Sequence, residues 1–299
     1  MKKTVLILTS DPFSINYEII KKSQNFFKKK LNNRYLFIGD LKDIGDNFKK
    51  NNKLIDFFDI KKEKNTKIYL KKCFDFAFGL LRSKKAHGLI NLPLNKRFLP
   101  RNYPGFTEYI ADAFNKKGKE TMLLYNQSFS VCPNTTHIRI KDISKNLNQK
   151  KIITNVNNIN DFYKNILGVK RPIIGIMGLN PHSGIDFRKN TEENNIINPV
   201  IKKLIKNKIK AIGPLVPDVA FNEINKKKIN CLMGHYHDQV LPTFKYIHKF
   251  DAINITLGLP FLRISPDHGT ASNLKNKNLA NPDSFIAALK FFEKHYKKI

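Results

Sequence analysis

The chain has 299 residues, of which 41% are hydrophobic, and this is enough apolar material for two globular domains or one large one. Its three cysteines, Cys73, Cys132 and Cys231, lie far apart without a C-x-x-C motif. They indicate neither a disulfide framework nor a thiolate zinc site, and we expect a cytoplasmic protein. No apolar run approaches the roughly 20 residues of a membrane span, and the N-terminal run is too short for a signal peptide.

The charge balance is strongly basic, because 54 Lys and Arg against 24 Asp and Glu give a formal net charge of +30. The lysines are spread along the whole chain, often beside asparagine, and this is typical of a broadly basic solvated surface. Two other interpretations stay open: a field that steers a phosphorylated substrate, and the binding of a polyanion. The sequence contains no helix-turn-helix, zinc finger or aromatic RNA-binding motif, so we expect no nucleic-acid partner.

Apolar runs of strand length recur along the chain, and segments with helical spacing of apolar residues lie between several of them. The predicted strands are 4–8, 35–38, 88–94, 121–125, 173–177, 229–233 and 253–257. The predicted helices are 17–30, 68–81, 109–114, 191–206 and a last one that Asp283 caps. This alternation predicts a largely parallel sheet covered by helices, with ligands at the carboxyl ends of the strands.

Three features qualify this pattern. The helix predicted over 191–206 opens with Thr191, carries Glu192 and Glu193 in its first turn, and contains Pro199, which we expect to bend it. The polar, Asn-rich stretch 145–161 is expected to be a surface excursion. The turn after the first strand lacks the G-x-G-x-x-G of a Rossmann site, so a dinucleotide would bind by another route.

The stretch from Asn230 to Ala271 contains most of the reactive side chains, among them His237. His237 follows a predicted strand, and two earlier loops likewise place His137 and His182 beside strand ends. Separations of 45 and 55 residues rule out a local metal motif, so the fold would have to assemble any site. Imidazoles without thiolates suit zinc or cobalt, and added oxygen ligands would admit magnesium or manganese.

Several segments, in order, resemble the motifs of one family, the 4-hydroxythreonine-4-phosphate dehydrogenases (PdxA) of vitamin B6 synthesis. The matching segments are TSDPFSINYEI, NLPLNK, PGFTEYIA, TTHIRIKDI, GLNPHSG, YHDQVLPTFKY, NITLGLPFLRISPDHGTA and DSFIAAL. The resemblance implies a two-domain α/β/α fold similar to isocitrate and isopropylmalate dehydrogenases, with the active site in the interdomain cleft. We place the first domain at 1–130 plus 272–299 and the second at 131–271.

The resemblance also implies an activity. The family oxidises 4-phosphohydroxy-L-threonine with NAD or NADP to 2-amino-3-oxo-4-phosphooxybutanoate, which decarboxylates to 3-amino-2-oxopropyl phosphate. One divalent ion per site (Zn, Mg, Co or Mn) is implied, as is a homodimer that shares its active site across the interface. The implied metal ligands are His137, His182 and His237, the last reaching the partner's site. The implied substrate contacts are Thr107, Lys245, Asn254 and Arg263.

Asp238 and Lys245 are alternative candidates for the catalytic proton acceptor, and the sequence leaves the choice between them open. Asp238 could equally orient a metal ligand. Asn276 and Asn278 stand where the family has glycines near the cofactor, and asparagine tolerates the positive φ that glycine adopts there.

Two departures from the family pattern concern the substrate. Phe106 replaces a substrate-binding histidine, and residues 185–190 replace the glycine-rich continuation after His182. An alternative function is therefore a paralogue that oxidises D-threonate or D-erythronate 4-phosphate or a similar phosphorylated hydroxy acid. A second alternative, motivated only by charge, is a non-enzymatic polyanion-binding protein.

Overall fold

The computed structural model describes residues 2–43, 52–187 and 189–298. Strands and helices alternate through these ranges, as the apolar pattern predicts. The strands are β1 (Thr4–Leu8), β2 (Arg34–Gly39), β3 (Ile55–Asp59), β4 (Gly88–Asn91), β5 (Thr121–Tyr125), β6 (Ser130–Pro133), β7 (Ile173–Met177), β8 (Lys210–Leu215), β9 (Cys231–Gly234), β10 (Ile253–Leu257) and β11 (Leu262–Pro266). The α-helices are α1 (Asn16–Lys22), α2 (Gln24–Phe27), α3 (Thr66–Arg82), α4 (Phe106–Ala113), α5 (Ile143–Asn146), α6 (Gln149–Asp161), α7 (Asn198–Lys206), α8 (Glu223–Lys227), α9 (His237–His248) and α10 (Asp283–His295).

The chain divides into two compact units. Unit 1 comprises Met1–Tyr109, Phe250–Ile255 and Pro260–Ile299, and unit 2 comprises Ile110–Lys249 and Thr256–Leu259. The predicted domain boundaries lie after residues 130 and 271. The boundaries between the two observed units lie after residue 109 and between residues 249 and 260.

Unit 1 contains the strand order β3-β2-β1-β4-β11, and the neighbouring strands in it pair in parallel. β1 is apolar and buried at residues 5–8, as expected of a strand covered on both faces. Tyr35 and Phe37 of β2, and Phe285 and Phe292 of α10, are also fully buried. Aromatic side chains therefore supply much of the core between this sheet and its helices.

Unit 2 contains the order β5-β6-β9-β7-β8. β5 runs antiparallel to β6, while β6, β9, β7 and β8 are parallel to one another. The registers pair Pro133 of β6 with Gly234 of β9, and Ile176 of β7 with Met233 of β9. The carboxyl ends of these three strands are therefore level with one another.

The predicted fold class is confirmed, and the predicted strands all occur with shifts of a few residues at their ends. Strands β3, β6, β8 and β11 were not predicted, because their apolar residues are interrupted by polar or turn-forming ones. The expected surface excursion over 145–161 was wrong for most of its length, since α6 occupies Gln149–Asp161. Ile152, Val156 and Ile159 bury one stripe of this helix between its asparagines.

The segment predicted as one bent helix begins with a π-helical turn, Glu193–Ile197, and continues as α7. Pro199 lies at the junction and has no N–H to donate to the preceding turn. Asp283 is the first residue of α10 and makes no side-chain cap, so its predicted capping role was wrong. None of the helices in the described ranges has the length and apolar character needed to cross a membrane.

Candidate functional site

The three histidine loops leave unit 2 from adjacent, level strand ends. His137 follows Pro133 of β6 by four residues, His237 follows Gly234 of β9 by three, and His182 follows Met177 of β7 by five. Parallel strands that end in register release their loops at one edge of the sheet, where ligands bind in open α/β folds. The fold therefore delivers imidazoles that are distant in sequence to a common edge.

Two of these imidazoles lie side by side. The ring centroids of His137 and His237 are 6.0 Å apart, with their planes 41° from each other. His137 is exposed and His237 is partly exposed. His237 is the first residue of α9, and its Nδ1 lies 2.8 Å from the carboxylate of Asp238 in the same turn.

His182 lies on an unusual turn after β7. Its backbone and that of Ser183 are left-handed, with φ of 49° and 56°. The imidazole is exposed, and its Nδ1 lies 2.5 Å from the carboxylate of Asp186. In the described part of the chain, no three His, Cys, Asp or Glu side chains form a group that could hold a metal ion.

The donor set nevertheless fits a divalent ion. Metal-binding histidines commonly use one ring nitrogen for a carboxylate, which fixes the tautomer, and the other for the metal. His182 and His237 both have Nδ1 at a carboxylate, which leaves Nε2 as the coordinating atom of each. Imidazole donors without a thiolate match zinc, cobalt or a similar ion.

His235, two residues before His237, is a fully buried histidine that ties the strand ends together. Its Nε2 lies 2.7 Å from the carbonyl oxygen of Met177, at the end of β7. Its own carbonyl accepts hydrogen bonds from the hydroxyl and the N–H of Thr135, in the loop that carries His137. Burial lowers the pKa of His235 from 6.5 to about 4, against the opposing effect of the Met177 carbonyl.

Gln239 adds a second tie between the β9 and β7 loops. Its Oε1 accepts the backbone N–H of His235 at 2.6 Å, and its Nε2 donates to the carbonyl of Gly178 at 2.8 Å. Sequence reasoning missed the roles of His235 and Gln239. Their proximity to His237 was a visible signal, but the partners Met177 and Gly178 lie far away in sequence.

Two of the predicted substrate contacts of unit 1, Arg263 and Thr107, form a hydrogen bond with each other, and Arg263 is a buried cation. The Arg263 side chain of β11 is only 3% exposed, and burial lowers its pKa to about 10, although nearby Glu108 raises it. Its Nε donates to Asn91 Oδ1 at 2.5 Å, and its Nη1 donates to Thr107 Oγ1 at 3.3 Å. The ring of Phe106 lies 5.5 Å from the guanidinium carbon, within cation–π range.

Asn91 was not predicted as a site residue, although it ends a buried strand.

Of the four predicted substrate contacts, Arg263 and Thr107 contact each other. Asn254 and Lys245 lie on separate elements. Asn254 lies on β10, and its buried Oδ1 has no hydrogen-bond partner within the described ranges. Lys245 is exposed on α9 in unit 2.

The predicted cofactor residues have the expected backbone. Asn276 and Asn278 are left-handed, with φ of 64° and 57°, and this explains how asparagine replaces glycine at both positions. Lys22 donates its Nζ to the carbonyl of Asn278 at 2.8 Å. Of the predicted departure after His182, Arg188 lies outside the described residues.

The arrangement of unit 1 and unit 2 strands defines an α/β protein with the isocitrate dehydrogenase type of fold. An isocitrate dehydrogenase from Methylococcus capsulatus matches with a TM-score of 0.56 at 9% identity, over 98% of this chain and 85% of that one. A putative 4-hydroxythreonine-4-phosphate dehydrogenase from Salmonella typhimurium matches more closely. Its TM-score is 0.81 at 26% identity, over 97% of this chain and 100% of that one.

Sequence relatives agree with this likeness. The model of the family "Pyridoxal phosphate biosynthetic protein PdxA" matches residues 11–292. A 4-hydroxythreonine-4-phosphate dehydrogenase from Sulfurihydrogenibium sp. (strain YO3AOP1) is 36% identical over 95% of each chain. One from Aquifex aeolicus (strain VF5) is 32% identical over 100% of each chain. The chain therefore belongs to the PdxA family, and the predicted family is confirmed.

The buried imidazole of His235 predicts a specific acid sensitivity. Between about pH 6.5 and pH 4 the unfolded chain binds a proton at this residue and the folded chain does not, so its contribution to stability falls as the pH is lowered through that window. The loss amounts to about 3 kcal/mol. His235→Gln does not titrate and offers an amide to the Met177 carbonyl, so we expect a flatter profile.

The measurement is the free energy of unfolding of metal-free protein in urea at several pH values from 4 to 7. Wild-type protein and the His235→Gln variant are compared at each pH, so that all other titrating groups cancel. Parallel pH profiles for the two proteins would contradict the prediction.

Proposed function

We propose that this chain is a 4-hydroxythreonine-4-phosphate dehydrogenase. It oxidises 4-phosphohydroxy-L-threonine with NAD or NADP to 2-amino-3-oxo-4-phosphooxybutanoate, which loses carbon dioxide to give 3-amino-2-oxopropyl phosphate for pyridoxal 5'-phosphate synthesis in the cytoplasm. The observation that carries this proposal is the release of three imidazole-bearing loops at level strand ends in a chain that the PdxA model matches almost throughout.

The metal-binding residues of the proposal are His137, His182 and His237. A bound divalent ion would supply Lewis acidity, which lowers the pKa of the substrate hydroxyl and favours departure of hydride to the nicotinamide. Asp238 and Asp186 hold the Nδ1 atoms of His237 and His182, which keeps the Nε2 lone pairs available for the metal.

The contact between Asp238 and His237 favours the orienting role for this carboxylate. Lys245 is eight residues beyond His237 on α9, which is a rise of about 12 Å along the helix axis. This separation favours a role for Lys245 at the anionic end of the substrate. Asp238 and Lys245 stay the alternative proton acceptors, and the acceptor is the one whose replacement lowers kcat without weakening metal binding.

Arg263 provides a fixed positive charge for the phosphate or carboxylate of the substrate. Asn91 and Thr107 hold two edges of its guanidinium, and its burial keeps its field from being screened by salt. The guanidinium remains protonated at neutral pH, because its lowered pKa is still about 10. Thr107 and the unpaired Oδ1 of Asn254 are the neutral groups proposed to contact the substrate.

The cofactor is proposed to bind near Asn276 and Asn278, where the left-handed backbone matches the conformation that glycines supply in the family pattern. Lys275, in the same loop, donates its Nζ to the carbonyl of Pro12 at 2.6 Å. This contact links the loop to the turn after β1 in unit 1. We propose that this contact fixes the loop in a position to bind the dinucleotide, although the chain has no Rossmann G-x-G-x-x-G motif.

A homodimer is the proposed assembly. Exposed apolar side chains follow two of the site histidines, namely Ile138 and Ile140 after His137, and Ile185 and Phe187 after His182. We propose that a second copy covers these side chains and that His237 of each copy reaches the other copy's site.

A second candidate substrate follows from Phe106. An aromatic ring over Arg263 replaces a hydrogen-bond donor, and this favours D-threonate or D-erythronate 4-phosphate, or a similar phosphorylated hydroxy acid, over an amino acid substrate. The two candidates share the oxidation step and differ in the group beside the reacting carbon.

A substrate panel tests the activity directly. Purified protein with a divalent metal is expected to reduce NAD or NADP when given 4-phosphohydroxy-L-threonine, and a chelator should abolish this turnover until metal is returned. His182→Ala should lower kcat/KM by about 100-fold or more, since it removes a direct metal ligand. His295→Ala, on α10 of unit 1, is the matched control. Oxidation of the threonate phosphate alone would establish the paralogue instead.

Phe106→His is expected to improve use of the amino acid substrate. The new ring nitrogen restores a donor to a charged group, so kcat/KM for 4-phosphohydroxy-L-threonine should rise about tenfold above that of Phe106→Leu, which removes the ring without adding a donor. Steady-state kinetics with both candidate substrates provides the measurement. Equal values for the His and Leu variants would place residue 106 outside the substrate site.

Ile185→Asp is expected to weaken the dimer, because a charge would be buried against the second copy. Sedimentation velocity over a range of concentrations measures the dissociation constant, which should rise at least tenfold. Ile205→Asp, at another exposed isoleucine on α7, is the control and should leave the assembly unchanged. A wild-type protein that sediments as a monomer at all concentrations would refute the proposed dimer.

A further inference from the structure

The turn that carries His182 is held in a conformation that its sequence does not favour. His182, Ser183 and Gly184 are left-handed in succession, with φ of 49°, 56° and 76°. A non-glycine residue in this region is strained unless its surroundings compensate. Something in unit 2 must therefore stabilise the turn against relaxation.

The carboxylate of Glu193 contacts both sides of this turn. On the side before His182, its Oε1 accepts the backbone N–H groups of Leu179 and Asn180 at 2.7 and 2.8 Å, and its Oε2 accepts the Asn180 side chain at 2.9 Å. On the side after His182, a Cβ atom at Gly184 would lie 2.6 Å from Oε2. The turn is thus closed around one carboxylate.

The position of Glu193 suits an ionised group. Its side chain is 2% exposed, and although burial alone would raise its pKa, the hydrogen bonds from Asn180 and Leu179 hold that pKa below its usual range. Three N–H donors converge on two acceptor oxygens, a match that a carboxylate satisfies completely. Glutamine would keep the oxygen that receives the backbone groups but would present its own NH₂ to the Asn180 amide.

Neighbouring Glu192 makes fewer hydrogen bonds to the turn. It accepts the Asn180 side chain at 2.8 Å and the Ser144 hydroxyl, but no backbone N–H of the turn. Glu193 is therefore the residue whose hydrogen bonds hold the backbone of the turn. Two residues earlier, the Thr191 hydroxyl accepts the N–H of Asn194 and fixes the start of the segment that carries Glu193.

We propose that Glu193 is a positioning residue: its buried carboxylate holds the left-handed turn that presents the His182 imidazole to the divalent cation. This inference rests on the proposed function, in which His182 is a metal ligand. Glu193 itself stays out of the ligand set, since its two oxygens are committed to N–H groups of the loop. Its contribution is to fix the direction of another side chain.

Two variants and one control test this role in the full-length protein. Glu193→Gln keeps the size and shape of the side chain, Glu193→Ala removes all of the contacts, and Glu223→Gln alters a partly exposed glutamate of unit 2 that pairs with Lys226 and Lys227. Cobalt(II) is titrated into metal-free protein and followed by calorimetry and visible absorption. Affinity should fall about 10-fold to 100-fold in Glu193→Gln, and further in Glu193→Ala.

Hydrogen exchange of the metal-free proteins separates this role from general destabilisation. Peptides covering residues 179–184 should lose protection in Glu193→Gln, while peptides covering β7 and β9 keep that of wild type. Should Glu193→Ala fail to fold, the glutamine variant decides. Wild-type cobalt affinity and wild-type exchange at 179–184 in Glu193→Gln would overturn the inference.

The same measurements distinguish failure of the proposed metal-dependent function from failure of the positioning role of Glu193. If wild-type protein binds no divalent ion, the metal-dependent function fails and the presentation of His182 to a cation fails with it. Faster exchange at 179–184 in the variant would then still show that Glu193 holds the turn. If wild type binds cobalt and the variants bind it equally well, the function stands and only the positioning role is overturned.

Discussion

The alignment of three parallel strand ends is the constraint on which the candidate site depends. β6, β9 and β7 are neighbours, and their registers bring Pro133 and Gly234 level at the edge. The buried imidazole of His235 then bonds to the end of β7 and to the loop after β6, so the three loops cannot shift independently. Burial lowers the pKa of His235, so its neutral imidazole donates to the Met177 carbonyl at neutral pH.

The positive charge of the protein is of two kinds, exposed lysines and a buried arginine. Most of the net charge of +30 belongs to lysines distributed along the chain, where solvent and salt screen it. Arg263 is different, because it is buried and held by Asn91, Thr107 and the face of Phe106. A single desolvated cation in a fixed position discriminates between anionic ligands far better than many mobile ones, so specificity is expected from Arg263 and its neighbours.

Left-handed backbone is maintained in two ways in this chain. At Asn276 and Asn278 the residue type itself tolerates the conformation, so the exchange from glycine costs little. Ser183 has no such tolerance, and the turn of three successive left-handed residues relies on hydrogen bonds and close contacts from elsewhere in unit 2, with Glu193 at the centre. The first case could be predicted from residue type, whereas the second requires knowledge of which side chain lies against the turn.

The sequence by itself determined the alternation of strands and helices, the family, and the three histidine positions, because apolar periodicity and local motifs are properties of neighbouring residues. It misjudged α6, whose apolar stripe is sparse among asparagines, and it did not show that His235 is buried and bonded to the end of β7. Burial, the Asn91 contact to Arg263 and the closure of the His182 turn by Glu193 were decided only by the tertiary structure. The hydrogen bonds of Glu193 to the turn and of Arg263 to Asn91 join residues separated by 13 to 172 positions, and only folding of the chain brings such residues within hydrogen-bonding distance.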